Sequence, residues 1–130
     1  VLEIGTGCGY QTAVLSSLFD NVISIERIEA LHLRAKKTLS SLNLKNITLI
    51  YGDGYEGYSK QNYFDAIILT AAPEMIPDKL LEQLNENGRM ILPLRVGATQ
   101  KLYRIKKTKT GIHKKDIDDV RFVPMLEGKI

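Results

Sequence analysis

Short apolar runs alternate with helical patterns along this chain from its first residue. The runs typical of buried strands cover residues 1–4, 21–26, 46–50, 64–70 and 89–94. Apolar residues at helical spacing predict helices over residues 11–18, 28–42 and 78–84, and Pro77 favours the start of the last one. Strands separated by helices imply right-handed crossovers. They therefore predict an α/β fold with a mostly parallel sheet and helices on both faces.

The last third of the chain has a different pattern. Residues 85–88 predict a turn before the fifth strand, and the segments 100–107 and 119–124 predict two further strands, antiparallel and joined around Gly111. With 130 residues, we expect a single domain over residues 1–130. Val1 lies inside a predicted buried strand, so we expect the N-terminal part of the fold to lie upstream of this chain.

Composition narrows the class of protein. Apolar residues make up 44% and charged residues 25% of the chain, as in soluble globular proteins. No apolar run approaches the ~18 residues of a membrane span. Much of the net charge of +3 comes from residues 101–115, where seven Lys or Arg occur without an acid. Because Asp116, Asp118 and Asp119 follow at once, we interpret this stretch as a solvated hairpin and expect no nucleic-acid partner and no membrane partner.

Cysteine and histidine offer little site chemistry. Cys8 is the only cysteine, which excludes an internal disulfide and fits a reducing compartment such as the cytoplasm. His32 and His113 are isolated from each other in sequence and have no second ligand at metal-binding spacing. We therefore expect no metal site.

The first predicted strand runs straight into a glycine loop, and the motif covers residues 3–10 (EIGTGCGY). Glycines at 5, 7 and 9 allow a sharp turn and a close approach of a ligand to the backbone. Dinucleotide-binding loops require the pattern G-x-G-x-x-G/A, but here Tyr10 stands where the third small residue belongs. The order E-x-G-x-G-x-G is instead similar to motif I of methyltransferases.

Two acidic positions follow the next two strands. Glu26 ends the second strand, where its carboxylate can accept hydrogen bonds from both hydroxyls of a ribose. Asp53 lies between Gly52 and Gly54 after the third strand, where it can accept from an adenine amine while the following amide donates to a ring nitrogen. Asp-Gly is also a common turn dipeptide. The carboxyl ends of parallel strands share one sheet edge, so these loops predict a single binding site.

The fourth strand ends in small residues, Thr70, Ala71 and Ala72 before Pro73. Small side chains leave room for a reacting group above the sheet, although on these residues alone a plain strand exit before a proline is the preferred interpretation.

Together these segments resemble the protein-L-isoaspartate O-methyltransferase family within the class I S-adenosylmethionine-dependent methyltransferases. The similarity includes residues 1–11, 24–27, 52–54, 64–72, 88–93 and 121–124 (RFVP), in order along the whole chain. The early motifs are shared by many methyltransferases, whereas Thr-Ala-Ala and Phe-Val-Pro are more specific. The resemblance implies a Rossmann-like fold and a protein-repair enzyme acting on the α-carboxylate of L-isoaspartyl residues in damaged proteins.

The resemblance also implies a set of site residues. Those expected to bind S-adenosyl-L-methionine are Glu3, Gly5, Thr6, Gly7, Gly9, Glu26, Asp53 and Gly54. Those expected near the peptide substrate are Thr70, Ala71, Ala72, Val123 and Pro124. The family's hydroxyl residue, which contacts the isoaspartyl carboxylate, is expected upstream of Val1, so no catalytic residue is named within the chain. A cytoplasmic monomer is expected.

Two alternatives remain open from the sequence. One is a methyltransferase acting on RNA or a small molecule, although Thr-Ala-Ala-Pro replaces the Asn/Asp-Pro-Pro-aromatic motif of nucleic-acid amino methyltransferases. The other is a binding module that holds the cofactor without turnover.

Overall fold

The structure is a computed structural model, and it describes residues 1–60 and 63–130. Within these residues the strands are β1 (Leu2–Ile4), β2 (Val22–Glu26), β3 (Ile47–Tyr51), β4 (Phe64–Leu69), β5 (Leu84–Val96), β6 (Thr99–Thr108) and β7 (Gly111–Val120). The α-helices are α1 (Tyr10–Leu18), α2 (Glu29–Ser40) and α3 (Asp78–Gln83), and a single 3-10 turn covers Gly54–Glu56.

All seven of these strands form one sheet in the order β3-β2-β1-β4-β5-β6-β7. Strands β1 to β5 pair in parallel, while β6 and β7 pair antiparallel. The predicted mostly parallel sheet with antiparallel C-terminal strands is confirmed. The carboxyl ends of β1, β2, β3 and β4 meet at one edge, which is where the polar loops emerge.

Different helices pack against the two faces of the sheet. Leu2 and Ile4 of β1 belong to a core cluster that also includes Leu80 of α3 and Leu84. Successive strand residues point to opposite faces, so Glu3 faces α1, where it meets Thr12. Helices therefore cover both faces of the sheet, as the alternating pattern predicts.

One predicted strand is wrong. We expected the last strand over residues 119–124, but β7 ends at Val120. Two residues, Lys109 and Thr110, form the turn, so Gly111 lies directly opposite Thr108 and pairing begins at once. Almost every residue of β7 is exposed, so no apolar alternation marks it in the sequence. After it, Pro124 makes only an isolated parallel bridge with Ala72.

The turn predicted at residues 85–88 lies inside the bounds of β5. Opposite β4, the register jumps from Leu84 to Arg89, and Asn87 has a φ of 64°. The chain thus bends here while remaining against its neighbour. Between β3 and β4 the described residues hold only the 3-10 turn, so this crossover has no α-helix there.

Candidate functional site

Three glycines shape the loop between β1 and α1. Gly5, Gly7 and Gly9 have φ angles of 95°, 57° and 86°, a region that residues with a Cβ rarely adopt. A Cβ on Gly5 would also collide with the hydroxyl of Thr70. The Gly5 amide donates to the Ile25 carbonyl at 2.8 Å, which ties the loop to β2. The chain therefore turns sharply at the sheet edge, and α1 begins there with its unpaired first amides.

A pocket of about 390 Å³ opens at this edge, and we call it the strand-end pocket. Its volume lies within the range of about 300–1,000 Å³ typical of small-molecule sites. The walls are mainly apolar side chains: Ile4, Ile25, Ile28, Leu31, Met125 and Leu126. Of the residues expected to bind the cofactor, four line this pocket: Gly5, Gly7, Glu26 and Gly54.

Glu26 is the acid of the strand-end pocket, and its side chain is held by backbone amides. One carboxylate oxygen accepts from the Gly7 amide at 2.9 Å and the other from the Ile28 amide at 3.0 Å. Only 4% of the residue is exposed. A carboxylate offers about four acceptor positions, so each oxygen keeps one for a ligand. Glu26 is thus a preorganised acceptor of two further hydrogen bonds.

Glu3 lies one strand away and does not line the pocket. It is fully buried, and its carboxylate accepts from the hydroxyls of Thr12 and Ser24 and from the amide of Gln11. These donors come from α1 and β2, so Glu3 joins three elements beneath the glycine loop. The structure places it as a support for the loop and not as a pocket wall.

Thr6 and Gly9 also lie outside the pocket lining. The hydroxyl of Thr6 is 2.6 Å from that of Ser24, which extends the buried network around Glu3. A Cβ on Gly9 would lie 3.1 Å from Leu39, so this glycine allows α1 and α2 to pack closely. Both residues shape the loop from behind.

Asp53 is engaged by its own chain, whereas its neighbour Gly54 lines the pocket. One Asp53 oxygen accepts from the Tyr55 amide and caps the 3-10 turn, and the other accepts from the Gly128 amide at 2.7 Å. Gly54 has no space for a Cβ, which would collide with Ile4. The backbone here therefore approaches the core as closely as a glycine permits.

The two segments expected near a substrate lie together. The Ala72 amide donates to the Val123 carbonyl at 2.8 Å, and the Met125 amide donates to the Ala72 carbonyl at 2.9 Å. Thr70, Ala71, Val123 and Pro124 line the strand-end pocket, while Ala72 faces the next cavity. The Thr70 hydroxyl lies 2.8 Å from the Gly5 carbonyl, which joins this segment to the glycine loop.

A larger cavity of about 900 Å³, the outer cavity, adjoins the strand-end pocket. Pro124, Met125 and Leu126 line both cavities, and Ala72, Tyr55, Glu74, Met75 and Arg95 line only the outer one. Burial, followed by the charges of Glu127, Asp53 and Glu74, raises the pKa of Tyr55 above its ordinary value of 10.0. Sequence reasoning did not identify Tyr55, Glu74, Met75 or Arg95, because no motif or periodicity marks them.

Sequence reasoning also missed Arg27, Ile28 and Leu31 as pocket residues. Ile28, directly before α2, and Leu31 within α2 form part of one apolar stripe, and that stripe predicts burial without distinguishing a core contact from a pocket wall. Across the described part of the chain, no three His, Cys, Asp or Glu side chains are grouped closely enough to hold a metal ion. No helix in that part has the length and apolar character needed to cross a membrane.

Comparison with known sequences shows the family. The model of the protein-L-isoaspartate(D-aspartate) O-methyltransferase family matches residues 1–130. A protein-L-isoaspartate O-methyltransferase of Pseudoalteromonas atlantica is 50% identical over the whole chain, and one of Pseudomonas paraeruginosa is 48% identical. The chain covers 61% and 62% of these two proteins, so it spans somewhat less than two thirds of their length.

Solved structures agree with the sequence comparison. A protein-L-isoaspartate O-methyltransferase superimposes with a TM-score of 0.88 at 30% identity, over 95% of this chain and 40% of that one. A putative one from Plasmodium falciparum, in complex with S-adenosyl-L-homocysteine, has a TM-score of 0.83 at 29% identity, over 96% and 64% of the two chains. These likenesses confirm the Rossmann-like class I methyltransferase fold. The chain therefore belongs to the protein-L-isoaspartate(D-aspartate) O-methyltransferase family.

Proposed function

We propose that this chain binds S-adenosyl-L-methionine in the strand-end pocket and serves a protein-repair methyltransferase acting on L-isoaspartyl residues of damaged proteins. The observation that carries the proposal is Glu26, a buried carboxylate that backbone amides aim into an apolar pocket beside a glycine loop. Family membership supports the substrate, and the pocket supports the cofactor.

The pocket has the chemistry that an adenosyl group requires. Ile28 and Leu31 offer apolar surface to a purine ring. Glu26 has two free acceptor positions for the hydroxyls of the ribose, an arrangement of charge-assisted hydrogen bonds. Gly5 and Gly7 allow the amino-acid end to lie against the backbone. Asp53 and the Gly54 amide stand beside the pocket, where we assign them to the adenine edge.

Three residues of the expected cofactor set receive a supporting role in this proposal. Glu3 and Thr6 hold the glycine loop through the buried network with Thr12 and Ser24. Gly9 sets the packing of α1 on α2. These residues fix the shape of the loop, which in turn aims the amide of Gly7.

We assign the peptide to the segments Thr70–Ala72 and Val123–Pro124. The backbones of these segments are paired, and Val123 is 67% exposed at the mouth of the pocket. Small side chains at 71 and 72 leave space for a carboxylate. The position of these segments between the strand-end pocket and the outer cavity suits a peptide that enters from the outer cavity.

The proposed reaction asks little acid–base chemistry of the chain. S-adenosyl-L-methionine, when bound, supplies an electrophilic methyl group on a sulfonium sulfur. An α-carboxylate has a pKa of about 3.3–3.7 and is ionised at neutral pH, so no residue needs to remove its proton. The chain's task is to orient the carboxylate and to exclude water, and such positioning contributes up to about 7–11 kcal/mol in favourable cases.

The test uses a pair of peptides that differ only in an isoaspartyl or an aspartyl linkage. We expect labelled methyl to reach the isoaspartyl peptide and not its aspartyl twin. Calorimetry with S-adenosyl-L-homocysteine measures the cofactor half of the proposal independently. Equal labelling of both peptides contradicts the substrate assignment, and absence of binding contradicts the cofactor assignment. Binding without transfer indicates a cofactor-binding module.

A second candidate function, methylation of RNA, rests on the β6–β7 hairpin. Arg104 lies directly opposite Lys115, so two like charges face one another across the ladder, an arrangement that an external anion stabilises. Lys101, by contrast, is paired with Asp116. Labelling of bulk RNA in preference to isoaspartyl peptide would favour this candidate.

We also propose a monomer in a reducing compartment such as the cytoplasm. Cys8 is an exposed free thiol, which such a compartment preserves. Gel filtration of the chain at several concentrations tests the monomer.

A further inference from the structure

The last five residues, 126–130, run along the rim of the strand-end pocket, and we call them the C-terminal strap. The strap is held at both sides of the rim. On the β2 side, the Ile130 amide donates to the Arg27 carbonyl and the Glu29 amide donates to the Ile130 carbonyl, both at 2.8 Å. On the β3 side, the Gly128 amide donates to Asp53. The strap therefore bridges two of the loops assigned to the cofactor.

Arg27 adds a side-chain fastening to this bridge. Its guanidinium donates to the carbonyls of Glu127 and Gly128, both at 3.2 Å. Beside it, the Lys129 ammonium lies 4.7 Å from the centre of the Tyr51 ring, within the range of a cation–π contact. Arg27 also lines the pocket, so this one residue connects the pocket wall to the strap.

The strap is fastened by polar contacts and has little buried apolar surface. Leu126 is 53% exposed and Ile130 is 68% exposed. A segment with exposed backbone hydrogen bonds and few apolar contacts opens at low free-energy cost compared with the core. Closed, it forms part of the rim, because Leu126 lines the pocket. Open, it leaves the side between Arg27 and Asp53 free.

We propose that the C-terminal strap gates the strand-end pocket and that Arg27 is its latch. This inference rests on the proposed cofactor site. The bond from Gly128 to Asp53 joins the gate to the cofactor site without blocking it, because the Asp53 carboxylate keeps about two further acceptor positions. The strap therefore closes with or without a ligand in the pocket. The cofactor enters and leaves while the strap is open, and Arg27 sets the fraction of time that it is closed.

The test measures the association and dissociation rates of S-adenosyl-L-homocysteine by stopped flow. Arg27→Ala removes the latch, and truncation after Glu127 removes the bonds of Gly128 and Ile130. Arg34→Ala, an exposed arginine on α2 with the same change of charge, is the matched control. We expect both rates to rise about tenfold in both strap variants, as expected when losing charge-assisted hydrogen bonds enlarges the open population. The control should keep wild-type rates.

Hydrogen exchange of the free chain supplies a readout that needs no ligand. The amides of Gly128 and Ile130 should be protected in the wild type and lose protection in Arg27→Ala. If Arg27→Ala does not fold, the truncation carries the kinetic test. A rise in the dissociation rate alone describes a strap that contacts the ligand without gating, and overturns the proposal. Unchanged rates in the folded variants overturn it too.

Failure of the gate and failure of the cofactor site give different results. Binding with wild-type rates in both strap variants overturns the gate and leaves the cofactor site standing. Absence of binding by the wild-type chain overturns the proposed function, and the gating role with it.

Discussion

Two buried carboxylates on neighbouring strands, Glu3 on β1 and Glu26 on β2, have opposite surroundings. Side chains supply every donor to Glu3, and its residue is fully buried. Backbone amides supply the donors to Glu26, which keeps one edge in the strand-end pocket. Both acids lie within strands, and both belong to methyltransferase-like motifs. Only the second is placed to contact a ligand.

The difference shows that one acid supports the glycine loop while the other is available to bind a ligand. The network around Glu3 fixes the glycine loop to α1 and β2, and the loop in turn presents the Gly7 amide to Glu26. Because the backbone amides of Gly7 and Ile28 orient the Glu26 carboxylate, the fold itself sets the direction of its remaining acceptor positions. We therefore expect changes at Glu3 to appear chiefly in stability, and changes at Glu26 chiefly in binding.

The largest effect is expected at Glu3. Glu3→Ala leaves the buried hydroxyls of Thr12 and Ser24 without their acceptor, and should lower the free energy of unfolding by about 3 kcal/mol. Urea denaturation measures this. Glu26→Ala is the comparison and should cost only about 1 kcal/mol, because water in the pocket can replace the lost acceptor. Equal losses for the two variants would remove the distinction between them.

Glu26 should dominate binding. Glu26→Ala removes two charge-assisted acceptors and should weaken binding of S-adenosyl-L-homocysteine by about 100-fold. Glu26→Gln keeps one acceptor oxygen and should weaken this binding by about tenfold, between the wild type and Glu26→Ala. Isothermal titration measures both variants. A Glu26→Ala protein that binds as tightly as the wild type would rule out the ribose assignment.

The glycines between the two acids offer a matched pair. Gly5→Ala and Gly7→Ala both force a Cβ onto a positive φ, but only the Cβ at Gly5 meets another group, the Thr70 hydroxyl. We expect Gly5→Ala to be less stable than Gly7→Ala by about 1–2 kcal/mol. Thermal melts of the two variants give the difference. Thr70→Ala combined with Gly5→Ala should recover part of it, and no recovery would argue against the steric cause.

The smallest effect concerns Tyr55, which is influenced by acids around the outer cavity. Its pKa is raised in the folded chain, first by burial and then by Glu127, Asp53 and Glu74. The folded state therefore holds the phenol proton more tightly than the unfolded state. This contribution to stability is complete below pH about 10 and is lost as the pH rises through the folded pKa.

Urea denaturation on either side of this pH checks the sign. The wild type should lose more stability above pH about 10 than Tyr55→Phe does, since only the wild type carries this proton. Identical pH profiles would show that Tyr55 titrates alike in both states.

The sequence was sufficient for the parallel half of the fold. Apolar periodicity predicts β1 to β5 and the three helices, because the strands are largely buried and each helix buries one apolar stripe. It fails at β7, where Ile112 and Ile117 are both exposed and no alternation remains. There, the pairing with β6 and the turn at residues 109–110 determine where β7 begins and ends.

The motif pattern predicts which loops lie at the candidate site. It does not separate residues that line the pocket from residues that support the glycine loop. Gly7 and Glu26 were identified, and their contact follows from the parallel register of β1 and β2. Whether Glu3 faces a ligand depends on Thr12 and Ser24, which lie on other elements. The strap is not predicted from the sequence, because its backbone atoms bond to Arg27, Glu29 and Asp53, which lie 75 or more positions away along the chain.

A structure of the chain with S-adenosyl-L-homocysteine bound tests the central claim most directly. We predict that both ribose hydroxyls donate to the two oxygens of Glu26 at about 2.5–2.7 Å. Glu3 should keep its three side-chain donors unchanged. A ligand bound outside the strand-end pocket, or bound inside it with the ribose turned away from Glu26, would contradict the account.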